Sequence, residues 1–226
     1  MRVLGGALAT VMGGVVAVAI AGAAMAMDNP TPPVLKAIVR GTADTAQGSL
    51  PHAFLELSTY PDSKAGEHGK DGGSQPDWVS YGPTTNLSVP AHSLVTVTVT
   101  QYDSGGQITN DFFAAVHGTV DGTMTVDGKQ VKGTDPGAVG HTFTIHMLPM
   151  KQDPLFVSVP LPATPDNAPN LDNGYPAPHV VTFSFITGGP GRYIWNCEYP
   201  CGDGTYAKFG GPMSVQGYMA GTLTVA

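Results

Sequence analysis

The chain has 226 residues, of which only 12% are charged, and its formal net charge is −7. This length provides for one domain with a full hydrophobic core. The acidic balance argues against nucleic acid as a partner, because binding to a polyanion depends on clustered lysine and arginine.

The first 26 residues have the pattern of an export signal. Arg2 is their only charged residue, and the uncharged run from Val3 to Met27 is rich in alanine, valine and glycine. We predict either a signal peptide cleaved after Ala26 or a retained membrane anchor, since 25 uncharged residues are long enough to span a bilayer. Residues 27–34 would then be a tether. Both alternatives place the rest of the chain outside the cytoplasm.

Hydrophobic periodicity beyond residue 34 is almost entirely of the β type. The run Ser93–Thr100 alternates threonine with apolar residues, which is typical of a half-buried strand. Eight to ten such runs predict an all-β sandwich. The other predicted strands are Ala53–Ser58, Asp111–His117, Thr123–Val126, His141–Met147, Leu155–Val159, His179–Thr187, Gly191–Cys197 and Gly221–Val225, with a weaker candidate at Trp78–Tyr81.

Two further segments are predicted to be long surface loops. Residues 59–76 are polar and rich in glycine, and residues 160–178 contain six prolines. Proline has no backbone N–H, so it cannot supply the hydrogen bonds of a central strand.

The residues that carry the functional hypothesis are Cys197, Cys201, Met219 and His141. Cys197 ends one predicted strand, Met219 precedes the next, and His141 begins an earlier one. Thiolate, thioether and imidazole are ligands that soft transition metals prefer. A disulfide between the two cysteines of an exported protein is the alternative interpretation.

The second half of the chain resembles a cupredoxin, the small copper-binding Greek-key sandwich. Three segments carry the resemblance in the same order: Val-Pro-Ala-His-Ser-Leu-Val-Thr-Val-Thr-Val from Val89, Gly-His-Thr-Phe-Thr-Ile from Gly140, and Gly-Arg-Tyr-Ile-Trp-Asn-Cys from Gly191 followed by Met-Ala-Gly-Thr-Leu-Thr-Val from Met219. The resemblance covers about residues 87–226. It implies a cupredoxin-like sandwich of about 8–10 strands, in a single domain at 35–226, that holds one copper ion.

The ligand loop departs from the family pattern. Cupredoxins have a histidine between the cysteine and the methionine, whereas none of the 21 residues between Cys197 and Met219 is histidine. The spacing Cys-x-x-x-Cys also resembles the two-copper domain of cytochrome oxidase subunit two, but Thr205 stands where that family has histidine. Gly202 occupies the position of the azurin-like histidine.

Three ligand sets therefore remain open. In the first, His141, Cys197, Cys201 and an axial methionine hold copper, with Met219 favoured over Met213. In the second, His146, His117 or His92 completes the site, although His146 lies on the opposite face of its strand from His141. In the third, the two cysteines form a disulfide and the fold has lost its metal.

Together with the predicted export signal, the resemblance implies an exported, copper-binding electron-transfer protein that is not an enzyme. The expected partner is a redox protein or a membrane respiratory complex. The alternatives are a metal-free, disulfide-closed binding or assembly module and a copper delivery or storage protein. Motifs of the serine-hydrolase, phosphate-loop and zinc-protease types do not occur in the sequence.

Overall fold

A computed structural model describes residues 33–62, 78–105, 109–147, 150–165, 167–201 and 211–226. The predicted export signal, most of the tether, most of the loop at 59–76, and Gly202 and Thr205 lie outside the described residues.

Thirteen strands and one short helix are formed by the described residues. The strands are β1 (Val34–Lys36), β2 (Ile38–Thr45), β3 (Gly48–Tyr60), β4 (Ser80–Gly82), β5 (Asn86–Val89), β6 (Leu94–Gln101), β7 (Met124–Val126), β8 (Lys129–Val131), β9 (Val139–Met147), β10 (Val157–Pro162), β11 (His179–Ile186), β12 (Gly191–Asn196) and β13 (Ala220–Val225). The helix is α1 (Asp111–Ala114), and 3-10 turns are formed by Val120–Gly122, Pro136–Ala138 and Pro212–Ser214.

The strands form two sheets. One has the order β1-β5-β13-β12-β9-β10, and the other has the order β2-β3-β6-β11-β7-β8, with β4 beside β3. Many strands that are neighbours in a sheet are distant in the chain. The parallel pairs include β3 with β6 and β5 with β13. The prediction of an all-β Greek-key sandwich is confirmed, although the described residues contain more strands than the eight to ten expected.

The core lies between the sheets and follows the predicted alternation. In β6, Val95, Val97 and Val99 have no exposed surface, while the threonines between them are partly exposed. In the facing sheet, the rings of Trp195 and Phe143 pack with their centroids 4.7 Å apart and their planes tilted by 30°, and both side chains are buried. Large rings on adjacent strands thus fix β9, which carries His141, against β12, which leads into Cys197.

The prediction of a strand at Asp111–His117 is wrong. The segment begins with helix α1, and the Asn110 side-chain oxygen accepts hydrogen bonds from the backbone N–H groups of Phe112 and Phe113. Asparagine followed by aspartate is a helix-start signal, and this cap outweighed the β-like alternation. Along the described ranges, no helix has the length and apolar character that crossing a bilayer requires.

The prediction that residues 160–178 lie wholly in a loop is also wrong at their start. Pro160 and Pro162 belong to β10, which pairs with β9 on one side and ends the sheet on the other. An edge strand tolerates proline because one row of its backbone groups has no partner strand.

Candidate metal centre

Three of the candidate ligands, His141, Cys197 and Cys201, meet at one end of the sandwich, where β6 and β12 end and β9 and β13 begin. His141 is the third residue of β9, and Cys197 directly follows β12. The side chains of His141, Cys197 and Cys201 are buried, and their ligand atoms lie within 4.8 Å of one another. No other such cluster of histidine, cysteine and acidic side chains occurs in the described part of the chain.

The His141 ring presents Nδ1 to both sulfurs. Nδ1 lies 3.1 Å from Sγ of Cys201 and 3.7 Å from Sγ of Cys197, and the two sulfurs are 3.1 Å apart. The sulfur separation exceeds the roughly 2.05 Å of a disulfide bond, so the cysteines are not bonded to each other here. Two sulfur ligands of one tetrahedral ion lie about 3.8 Å apart, so a metal would fit if the sulfurs separated by several tenths of an ångström.

The Cys197 sulfur is fixed from the neighbouring strand. The backbone N–H of Thr142, the residue after His141, donates to Sγ of Cys197 at 3.4 Å. The Thr142 hydroxyl oxygen accepts a hydrogen bond of 2.8 Å from the backbone N–H of Glu198. These two bonds tie Thr142, the residue after His141, to the Cys197 sulfur and to the Glu198 backbone, so the protein itself holds the Cys197 segment against β9.

Met219 lies across from Cys197 on the adjacent chain segment. Asn196 pairs with Ala220, and the next step of this antiparallel register places Cys197 opposite Met219, with a 2.9 Å bond from the Cys197 N–H to the Met219 carbonyl oxygen. Residues directly opposite in such a pair project to the same face. Met219 is fully buried, whereas Met213, the second candidate, is partly exposed in the turn Pro212–Ser214.

Sequence reasoning missed Asp103. The second nitrogen of the His141 ring, Nε2, lies 2.6 Å from Oδ2 of this aspartate, which is only 7% exposed. The sequence offered only an indirect signal that another segment packs closely beside His141, namely the glycine that precedes it. A Cβ on Gly140 would come within 2.8 Å of the Gln101 amide, and one on Gly105 would come within 2.3 Å of the Gly140 backbone. The paired glycines therefore allow the Asp103 segment to lie against β9.

The charged groups of the site shift one another's pKa values. Burial alone would lower the pKa of His141, but its hydrogen bonds with Asp103 and Cys197 outweigh that effect and raise the pKa to about 10. Burial would raise the pKa of Cys197, but hydrogen bonds with Cys201 and His141 lower it to about 5. At pH 7 the metal-free site therefore holds a thiolate beside an imidazolium.

The two other acidic groups of the site shift in opposite directions. Burial raises the pKa of Cys201, and the hydrogen bond to Cys197 adds to that rise. The Asp103 pKa is lowered, because its hydrogen bond and charge interaction with His141 outweigh its burial. Cys201 is thus the thiol of the pair, and Asp103 is a carboxylate.

The histidines of the second ligand set have partners of their own. His146 is partly exposed and pairs with Glu198 at 2.5 Å, as expected for the face opposite His141. His117 stacks on Phe112, and its Nε2 lies 2.7 Å from the Phe112 carbonyl oxygen. His92 has a positive φ of 47° in the turn before β6, the opposite end of that strand from Asp103. The structure does not bring these three residues to the cluster.

Comparison with known proteins gives structural matches only. No family model and no curated protein sequence matches the chain. Among solved structures, auracyanin B matches with 16% identity and a TM-score of 0.33, covering 83% of this chain and 98% of its own. Rusticyanin from Thiobacillus ferrooxidans matches with 12% identity and a TM-score of 0.34, covering 83% and 86%.

Both of these proteins are cupredoxins, the family that the sequence segments resemble. A multicopper oxidase also matches, with 11% identity and a TM-score of 0.29, covering 77% of this chain and 44% of its own. At such scores these likenesses carry no argument for the function of this chain.

Proposed function

We propose that this chain is an exported copper-binding protein that transfers single electrons. The observation that carries the proposal is the convergence of the His141 Nδ1 and the sulfurs of Cys197 and Cys201 in a buried cluster. Sulfur-rich donor sets favour copper, and above all Cu(I), over the harder divalent ions that prefer oxygen ligands. Met219 is proposed as the axial ligand because it lies opposite Cys197 on the same face.

Cys201 is proposed to take the place of the imidazole that the loop lacks. Its sulfur lies closer to Nδ1 of His141 than that of Cys197 does. A set with two thiolates carries more negative charge than one with two imidazoles and a single thiolate. The reduction potential depends on the net charge and exposure of a metal site, so this site is expected to differ from an ordinary blue-copper centre.

Burial of the ligands supports electron transfer in preference to catalysis. His141, Cys197 and Met219 have no exposed surface, and Cys201 is 2% exposed. His141 lies on β9 and Cys197 follows β12, which pairs with β9, so these two donors would move little when the copper changes its oxidation state. Catalytic metal sites keep a coordination position open to water or substrate, and the described side chains enclose this cluster.

The chain's own residues would supply the donor atoms and hold them in place when copper binds. Cys197 is already a thiolate, whereas His141 and Cys201 must each release a proton before they can donate a lone pair. The Thr142 N–H, which donates to the Cys197 sulfur, would hold that sulfur in place. A bound copper ion would supply the exchange of one electron.

Export and partners remain part of the proposal. The uncharged N-terminal run supports secretion or anchoring at the outer face of a membrane. A redox protein or a membrane respiratory complex would be the electron donor or acceptor.

A second candidate is a metal-free module closed by a Cys197–Cys201 disulfide. The 3.1 Å approach of the two sulfurs favours it, because little movement separates this contact from a bond. Mass spectrometry of purified protein with and without reductant distinguishes the two candidates. A protein with a permanent disulfide would gain two hydrogen atoms (two electrons and two protons) on reduction, and the disulfide would remove both thiolates from metal binding.

Voltammetry of copper-loaded protein tests the electron-transfer proposal. Protein with reduced thiols should take up one equivalent of Cu(I) and then give a reversible one-electron couple. Tight binding without a reversible couple, together with ready exchange of Cu(I) to a chelator, would show copper delivery or storage instead. Failure to bind copper stoichiometrically would refute the proposal.

A further inference from the structure

A buried carboxylate supports the candidate metal centre from behind the imidazole. Oδ2 of Asp103 lies 2.6 Å from Nε2 of His141, on the opposite side of the ring from the sulfurs. Asp103 directly follows Tyr102 after the end of β6, whereas His141 lies on β9 in the other sheet. The contact therefore joins the two sheets at the end of the sandwich where the ligands meet.

The Asp103 carboxylate is fixed by contacts other than that with His141. The backbone N–H of Gly105 donates to Oδ2 at 3.2 Å. The Asp103 carbonyl oxygen accepts hydrogen bonds of 3.0 Å from the Gln101 side-chain amide and from the backbone N–H of Thr164. The close approach of Gly105 to Gly140 brings this turn against the strand that carries the imidazole. Asp103 is thus held at its carboxylate by Gly105 and at its backbone carbonyl oxygen by Gln101 and Thr164.

The geometry has two consequences for a metal on Nδ1. An acceptor at Nε2 keeps the ring proton on that nitrogen, which leaves the Nδ1 lone pair facing the sulfurs. A carboxylate also adds a negative charge one ring width from the metal, in a region that solvent screens poorly. A neutral amide or carbonyl oxygen in the same place would keep the proton on Nε2 but would add no negative charge.

We propose that Asp103 is a positioning residue for His141 that also stabilises the more oxidised state of the bound metal. This inference rests on the proposed copper site and deepens it. The charge of Asp103 acts on the difference between Cu(II) and Cu(I), because an additional negative charge favours the ion with the larger positive charge.

The test is Asp103→Asn, which preserves the size of the side chain and an acceptor oxygen but removes the charge. Loss of a partner that orients a metal-binding histidine commonly costs 10- to 100-fold in metal affinity. We expect Cu(II) affinity to fall about 100-fold and Cu(I) affinity about tenfold. The resulting tenfold change in their ratio raises the one-electron reduction potential by about 59 mV.

The matched control is Glu198→Gln. Glu198 is the residue after Cys197, and its carboxylate binds His146 and Asn196 rather than His141. It is partly exposed, so solvent screens its charge, and the potential should shift by much less than in the Asp103 variant. Equal shifts in the two variants would show a general charge effect and would overturn the specific role of Asp103.

Nitrogen NMR of the wild-type protein loaded with Cu(I) provides a measurement that does not depend on the folding of a variant. The His141 ring should carry its proton on Nε2 and its metal on Nδ1. A proton on Nδ1, or an unchanged potential in Asp103→Asn, would overturn the inference while leaving copper binding intact. Absence of copper binding in the wild type would refute the proposed function instead.

Discussion

Replacing Cys197 by serine is expected to abolish stoichiometric copper binding. The sulfur of Cys197 is buried, is already a thiolate at neutral pH, and receives the Thr142 N–H. Loss of a ligand atom should weaken Cu(I) binding by more than the roughly 100-fold that removal of a ligand's hydrogen-bond partner can cost. Competition titration against a Cu(I) chelator measures the loss, and circular dichroism verifies that the sandwich has folded.

Replacing Cys201 by serine is the matched experiment for the second sulfur. If Cys201 takes the place of the missing histidine, the variant should bind Cu(I) more weakly and should have a higher reduction potential, since one negative charge is lost. Its thiolate-to-copper absorption should also change. Wild-type affinity, potential and spectrum in Cys201→Ser would show that this sulfur is not a ligand.

The stability of the metal-free protein should have a plateau in its pH dependence. The His141 pKa is raised from 6.5 to about 10, so protonation of His141 stabilises the folded state. This stabilisation is complete below pH 6.5 and is lost as the pH rises to about 10. The Cys197 pKa is lowered from 9.0 to about 5, and its contribution is complete above pH 9 and lost as the pH falls through 5.

Their sum follows from the protons bound in each state. Between pH 5 and 6.5 the unfolded chain binds one more proton at this pair, so stability rises with pH by about 1.4 kcal/mol per unit. Between pH 6.5 and 9 both states bind one proton, so stability is flat. Above pH 9 the folded state retains the His141 proton and stability falls, and Cys201, with its raised pKa, adds to the fall.

Urea unfolding at a series of pH values measures this profile. The effect of the other titrating groups on stability is removed by subtracting the pH profile of Cys197→Ser, which lacks the thiolate. The difference between the two proteins should increase from pH 5 to 6.5. A difference that does not change with pH over that interval would show that the Cys197 thiolate does not form in the metal-free site.

Alternating residues made most of the sandwich predictable. The threonine-valine pattern of β6 identified its buried face correctly, and the segment beginning at Gly140 placed His141 on an inner strand. The shared location of His141 and Cys197 was inferred from a resemblance in segment order. Short-range pattern alone could not have supplied it, because 55 residues separate the two positions.

Features that depend on contacts between distant segments were missed. Asp103 has no local pattern that marks it, and its role arises only because a turn after β6 packs against Gly140. Pro160 was assigned to a loop because edge position in a sheet cannot be read from the strand's own residues. Helix α1 was missed although its Asn110 cap is visible in the sequence, because the β-like alternation of the same segment predicted a strand.

X-ray absorption at the copper edge of wild-type protein loaded with one equivalent of Cu(I) tests most directly whether one imidazole and two sulfurs share a single ion. Two sulfur neighbours at about 2.3 Å and one imidazole nitrogen at about 2.0 Å are the expected result. A copper coordinated by a single sulfur, or by oxygen and nitrogen alone, would contradict a centre built from His141, Cys197 and Cys201.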